Sequence, residues 1–258
     1  MGDPLSKFRH PRINSAYLIS VCESTQTWAK KHAETQTPLP DTTLFIAEEQ
    51  TRGAGRQGRI WHSPRGGLWL SLLLKPQFSP EKSQALSAAA SLGILEGILQ
   101  ITKAPCRLKW PNDILLEGKK LGGVIVETSL RGPTLEWVVI GAGININNPL
   151  PPELMKTATT LSQWKGEDLD PALILTSVLN GFFEVYDRFL REGFSGIQSS
   201  YLKRLQGLGS TVRVEAEGKT YRGIALNVDL EGRLVVQLDQ QRTRPFSSSE
   251  AHLVGPSL

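Results

Sequence analysis

The sequence predicts an α+β fold: a mixed, largely antiparallel sheet with flanking helices, followed by a small C-terminal β-barrel. Three observations carry this. Short apolar runs at 68–74, 114–116, 124–126 and 135–140 follow one another with turn residues between them, as strands of a meandering sheet do. Helical signals lie mainly before and after these runs rather than alternating with each strand, which argues against repeated βαβ units. Beyond Leu208 the texture changes to short alternating segments separated by Glu-Gly turns. The chain therefore divides into a flexible leader at 1–14, a large domain at 15–207 and a small β domain at 208–258.

Taken in order, Ser24 is placed to cap a helix beginning Thr25-Gln26-Thr27-Trp28. The Thr/Pro-rich stretch 35–40 is a loop, and Thr43-Leu44-Phe45-Ile46-Ala47 a strand. A Gly/Arg loop occupies 50–59. Leu68-Trp69-Leu70-Ser71-Leu72-Leu73-Leu74 is apolar enough for a strand buried on both faces. Leu86, Ala90, Ile94, Ile98 and Ile101 recur at helical spacing over 83–101. Two strands around a short turn follow at 114–116 and 124–126. Another, at 135–140, is expected to end in a glycine turn, Gly141-Ala142-Gly143. Asp170-Pro171 starts a helix that Gly193 stops. In the last segment, strands at 212–215, 221–224 and 234–238 are separated by turns at Glu217-Gly218 and Glu231-Gly232.

Composition narrows the function classes. The 258 residues are 40% hydrophobic and 21% charged, with a net charge of +4, ordinary for a soluble globular protein. No basic run or stripe supports nucleic-acid binding, although the high pI keeps that reading as a rival. Cys22 and Cys106 make no disulfide framework and, with His10, His32, His62 and His252, no metal-ligand spacing. No stretch approaches the roughly 20 apolar residues of a membrane span, and the N-terminus lacks a secretory signal. Met1-Gly2 followed by Ser6 fits an N-myristoylation pattern, but a plain cytoplasmic N-terminus is the preferred reading.

The segments that carry chemistry are few. Lys109-Trp110-Pro111-Asn112-Asp113 and Lys120-Leu121-Gly122-Gly123 put two cations, an amide and a carboxylate around an apolar hairpin. Cations in such surroundings are costly unless an anion meets them, so an anionic substrate is expected. Gln50–Trp61 adds three arginines and three glycines between them, suiting close backbone approach and forked donors for phosphate or carboxylate, though it is not a P-loop. Gly141-Ala142-Gly143 is not a dinucleotide fingerprint, because position 146 is Ile. Trp69 and Trp137 read as core, whereas Trp61 could stack on a purine. Glu127 reads as an exposed strand end. No Ser-His-Asp or Cys-His triad is evident.

Together, Ser24-Thr25-Gln26, the Gln50–Trp61 loop, Lys109–Asp113, Lys120–Gly123 and Gly141–Asn145 resemble, in order, the motifs of the biotin protein ligase family. The resemblance implies a class II synthetase-like catalytic domain and an SH3-like C-terminal barrel. It implies two steps: biotin and MgATP give biotinyl-5′-AMP and pyrophosphate, and a lysine of a biotin carboxyl carrier protein then takes the biotin. Fixed cations suit such a reaction, because it joins two anions.

By the same resemblance Ser24, Thr25 and Gln50 would hold biotin's ureido head, with Gln26 beside them and Gly53, Ala54, Gly55, Arg56, Lys120, Gly123 and Gly141 completing its site. Arg56, Arg59, Trp61, Asn112, Asp113 and Asn145 would serve the nucleotide and its magnesium, with no tightly bound metal. Lys120 and Arg56 would be the catalytic pair, with Lys109 in support. Strict alternation puts Lys120 and Gly123 on opposite strand faces, so either a bulge intervenes or one acts through its backbone. Family loops usually carry arginine where this chain has Ala54, with Arg52 nearby as a candidate substitute. Too few residues precede Ser24 for a helix-turn-helix domain, so no DNA binding is expected; a homodimer is compatible. A lipoate or octanoate ligase is the enzymatic rival.

Overall fold

The computed structural model describes residues 8–36, 41–76, 78–238, 242–248 and 251–253. Elements run β1 (Ser15–Cys22), α1 (Thr25–Thr35), β2 (Thr42–Ala54), β3 (Ile60–Ser63), β4 (Leu68–Leu74), α2 (Ser83–Thr102), β5 (Cys106–Lys109), β6 (Asp113–Leu116), β7 (Lys119–Arg131) and β8 (Thr134–Ile144). Then follow α3 (Leu161–Lys165), α4 (Pro171–Glu192), α5 (Ser195–Arg204), β9 (Thr211–Ala216), β10 (Lys219–Val228), β11 (Leu234–Gln237), β12 (Thr243–Phe246) and β13 (Ala251–Leu253).

The large sheet has the order β1-β2-β4-β8-β7-β6-β5, with β3 paired to β2. Only β1–β2 is parallel; every other pairing in this sheet is antiparallel. The predicted mixed, largely antiparallel sheet is thus observed. Alternation along the central strands divides it cleanly. Phe45, Leu73 and Val139 face α1, joining Ala29, Ala33 and Trp137. Leu44, Ile46, Leu72, Leu74, Val138 and Ile140 face the opposite way, into the main core with α2 and α4. Helices cover both faces, which is why β4 is apolar at every position but Ser71.

Both long helices form as expected. Asp170 Oδ1 accepts from the Ala172 amide at 2.8 Å, Pro171 takes the first helical position, and Gly193 ends α4 at φ +67°. α2 is apolar on all sides and long enough to cross a membrane by length and composition, yet 67% of its most apolar window is buried in this core. Short α3 and α5 complete the helices of the described residues.

Three features differ from the sequence reading. β1 is a strand that the sequence reading left out; its half-exposed edge position blurs its hydrophobic pattern, and with α1 and β2 it forms one βαβ unit. Gly141-Ala142-Gly143 is not a turn but the continuation of β8, paired to Ser71, Leu70 and Trp69 of β4. Of the expected leader, residues 8–12 are packed rather than loose: His10 Nε2 lies 3.1 Å from Asn180 Oδ1, its ring stacks on Phe183, and Arg12 pairs with Asp187 at 2.7 Å. Residues 1–7, with the myristoylation pattern, and 37–40 of the expected loop lie outside the described residues.

The C-terminal strands form a five-stranded antiparallel sheet, β12-β11-β10-β9-β13. Its apolar face, with Val214, Ala216, Val228, Leu234, Val236 and Phe246, is continuous with the main core. Trp110 Nε1 donates to the Gly232 carbonyl at 3.2 Å and Gln198 Nε2 to the Val228 carbonyl at 2.7 Å.

Candidate active site

Where β2, β4, β7 and β8 meet the start of α1, the structure encloses a cavity of about 260 Å³. Its floor is Leu70, Ser71 and Gly141–Gly143, where glycine keeps the strand surface bare. A Cβ at Gly141 would stand 2.5 Å from Gln26 Oε1, and one at Gly143 2.7 Å from Trp61 Nε1. The walls are Ser24, Thr25, Gln26 and Gln50 on one side and Lys109–Asp113, Lys120 and Gly123 on the other, with Ala54–Arg56, Arg59 and Trp61 at the mouth.

The polar wall is organised by hydrogen bonds. Ser24 takes the N-cap position of α1, but its hydroxyl makes no capping bond. Instead Gln50 Oε1 accepts from the Thr25 amide at 2.8 Å. Gln50 Nε2 then donates to Ser63 Oγ at 2.8 Å. The Ser24 hydroxyl and the Trp61 indole N–H, on two residues that line the cavity, are buried without a hydrogen-bond partner. Buried polar atoms in folded proteins are almost always paired. Two unpartnered ones on a single small cavity mark places for ligand atoms.

The opposite wall is cationic: Arg56, Arg59, Lys109 and Lys120 line the cavity against the one carboxylate of Asp113. Lys120 Nζ is 2.6 Å from Asp113 and 5.0 Å from the centre of the Trp61 ring. A bulge resolves the alternation problem. Ile114 pairs with Gly122 but Leu115 with Lys120, so Leu121 is the extra residue and is fully buried. Lys120 and Gly123 thereby share a face; a Cβ at Gly123 would lie 3.5 Å from Lys120 Cε. Burial pushes the Lys109 ammonium below its usual range, Asp113 opposes this, and Lys120 adds to it.

Arg56 is drawn toward the C-terminal domain. Its guanidinium donates to Asn112 Oδ1 at 3.1 Å and to the carbonyls of Ser248 and Ala251. Burial lowers its pKa somewhat, against the pull of Asp113. Arg52 reaches out to Glu23 at 3.1 Å rather than into the cavity, so it does not stand in for the side chain missing at Ala54.

A second cavity of about 670 Å³ adjoins the first. It shares Ile60, Trp61, Lys109, Asp113 and Lys120, and adds mostly apolar lining, including Leu115, Leu150 and Leu154.

Of the residues singled out in the sequence, two do not reach the smaller cavity. Gly53 is buried under β3, where a Cβ would be 2.6 Å from the Trp61 carbonyl. Asn145 lines the second cavity and donates from Nδ2 to the Thr159 carbonyl at 3.1 Å. Three residues at or beside the site were missed. Ser71, a lone hydroxyl in an otherwise apolar strand, carried a readable signal. Leu253, from β13, carried none. Glu127 lies within β7 rather than at its end and, though partly exposed, accepts from Gln26 Nε2 at 2.7 Å and from Lys30 Nζ at 2.8 Å.

Known proteins resemble this chain in sequence and fold. Residues 18–145 match the model of the Biotin/lipoate A/B protein ligase family, and 207–254 that of the Biotin protein ligase C terminal domain. The Bifunctional ligase/repressor BirA of Bacillus subtilis is 35% identical over 232 residues, covering 88% of this chain and 71% of that protein. The Biotin--[acetyl-CoA-carboxylase] ligase of Mycobacterium tuberculosis is 31% identical over 83% of this chain and 80% of its own length. The structure of a biotin protein ligase from Aquifex aeolicus in complex with biotin and ATP superposes with a TM-score of 0.81. It has 29% identity and covers 94% of this chain and 99% of that one.

Proposed function

This chain belongs to the biotin/lipoate A/B protein ligase family, and from that membership and its site we infer a biotin protein ligase. The enzyme activates biotin with ATP and transfers it to a protein. In the first step a biotin carboxylate oxygen attacks the α-phosphorus, and the bond to the departing pyrophosphate breaks. In the second an acceptor lysine amine attacks the acyl carbon, AMP leaves, and the amine gives up a proton.

The observation that carries this reading is the pair of adjoining cavities with Lys120 in their shared wall. The smaller has a wall of hydroxyls and amides and two unpartnered polar atoms, which suits a cyclic urea. The larger, more apolar one suits a nucleotide base, with Trp61 between the two. Lys120, released from Asp113 by the incoming anions, bridges carboxylate and phosphate, and Arg56 and Arg59 neutralise phosphate oxygens. Such preorganised cations lower the barrier without covalent participation by a side chain. Asn112 and Asp113 lie on the side where the magnesium of MgATP would enter as part of the substrate. The acceptor is the carboxyl carrier domain of a biotin-dependent carboxylase. The biotin-ligase C-terminal domain match favours biotin over lipoate or octanoate, as does the polar wall.

Purified protein with biotin and MgATP is expected to release pyrophosphate and accumulate biotinyl-5′-AMP, with no release on lipoate. Lys120→Ala should lower the adenylation rate by about 10²–10³, the usual cost of one electrostatic donor at a reacting oxygen. Absence of adenylate in the unaltered protein would rule the reading out.

A further inference from the structure

We propose that Glu127, anchored by Lys30, is a positioning residue that fixes the Gln26 amide with its carbonyl oxygen facing the cavity, and so selects a ligand that brings N–H donors there. The inference rests on the ligase reading for the identity of the ligand, and deepens it.

The argument is one of hydrogen-bond direction. An amide can be turned end for end, and only its partners decide which way it points. A carboxylate can only accept and an ammonium can only donate. Lys30 Nζ lies 2.8 Å from Glu127 Oε1, and the other carboxylate oxygen, 2.7 Å from Gln26, therefore takes a Gln26 N–H. The remaining Gln26 proton points at the Val139 carbonyl at 3.3 Å. Both amide protons are thus turned away, and Gln26 Oε1 faces inward. It accepts from Ser71 Oγ at 3.1 Å and overhangs the bare backbone of Gly141. Gln26 itself is 2% exposed, so solvent does not compete with these partners for its amide.

The direction propagates. Ser71, having given its proton to Gln26, can only accept from Thr25 Oγ1 at 2.9 Å, a hydroxyl whose single proton also faces Gln50 Oε1 at 3.2 Å. Gln50 is oriented independently, because its Oε1 meets the Thr25 backbone N–H. The assigned protons therefore run from a surface ammonium through Gln26 to Ser71 on the cavity floor. They leave a free lone pair on Gln26 and a free N–H on Gln50. A cyclic urea, with N–H donors flanking one carbonyl acceptor, complements that set.

Exchanging the partners tests the idea. In Lys30→Glu/Glu127→Lys the surface ion pair survives with its charges swapped, but the group beside Gln26 becomes a donor. The amide must turn, and the cavity then meets an N–H where it held an acceptor. The KM for biotin should rise about tenfold or more, the usual scale for one misdirected buried hydrogen bond, while the KM for ATP stays within about twofold. Adding Gln26→Glu restores an acceptor toward both neighbours and should recover most of the loss. Should the exchanged variant fail to fold, Glu127→Ala, which only releases the amide, should raise the KM for biotin about threefold or more and leave that for ATP alone. An unchanged KM for biotin in a folded variant, equal rises for both substrates, or failure of Gln26→Glu to recover binding would overturn the proposal. Loss of adenylation in the unaltered protein would instead count against the ligase reading.

Discussion

Cys106 on β5 is 2% exposed, and burial pushes its thiol up to about 12. In the unfolded chain the thiol ionises near its ordinary value of about 8.5. A folded-state pKa raised in this way contributes stability that is fully present below the unfolded value and is lost as pH climbs toward 12. Urea unfolding at pH 8 and pH 10.5 should therefore show the natural protein losing ~2–3 kcal/mol more than Cys106→Ala over that interval. Equal losses would exclude the buried thiol as the cause. At this scale residue chemistry was legible where it was unusual for its surroundings. Lys109 and Lys120 stand out among apolar neighbours, and so does Ser71. Glu127 does not, because a carboxylate near a strand end is normally solvated; only Gln26 and Lys30, about a hundred positions upstream, change its role.

Between elements, α2 and α4 approach closely because both carry glycine at the crossing. A Cβ at Gly97 would stand 2.3 Å from the Ser177 carbonyl oxygen and 2.6 Å from Val178 Cα, and one at Gly181 2.5 Å from the Gly93 carbonyl. Alanine gains about 1 kcal/mol over glycine in a helix interior. Here the clash is with backbone, which cannot turn aside, so overpacking outweighs propensity. Gly97→Ala is expected to destabilise by ~1–3 kcal/mol, read as a lower urea midpoint at constant slope. Helices were readable because their caps and periodicity are local. Strand limits were less so. The continuation of β8 through Gly141–Gly143 depends on pairing with β4 and β7, and the glycines that suggested a turn are there to keep the cavity floor bare.

Across the whole molecule, the C-terminal sheet shares the core of the larger part and contributes carbonyls to Arg56 and a hydrogen bond to Trp110. A continuous core unfolds as one unit. Heating should therefore give a single transition, the same by tryptophan fluorescence, whose reporters all precede residue 165, as by far-ultraviolet circular dichroism. Gly232 tests the junction. It has φ +79° and a Cβ there would lie 2.9 Å from Ala85 Cα. Gly232→Ala should lower that single transition by several degrees, corresponding to ~1–3 kcal/mol. Two separate transitions would mean that the domains are energetically independent.

The sequence by itself determined the chemistry available and most of the helices and strands, because residue types, caps and hydrophobic periods act over a few positions. It determined that cations, amides and a bare glycine run would have to be brought together around an anion. Only the tertiary structure decided how. The bulge at Leu121 turned Lys120 and Gly123 to one side, strand register brought Gly141 under Gln26, and the C-terminal sheet took hold of Arg56. Each depends on pairing between segments far apart in the chain. A shift of one residue in that pairing would reverse every side chain on a strand without altering any local signal.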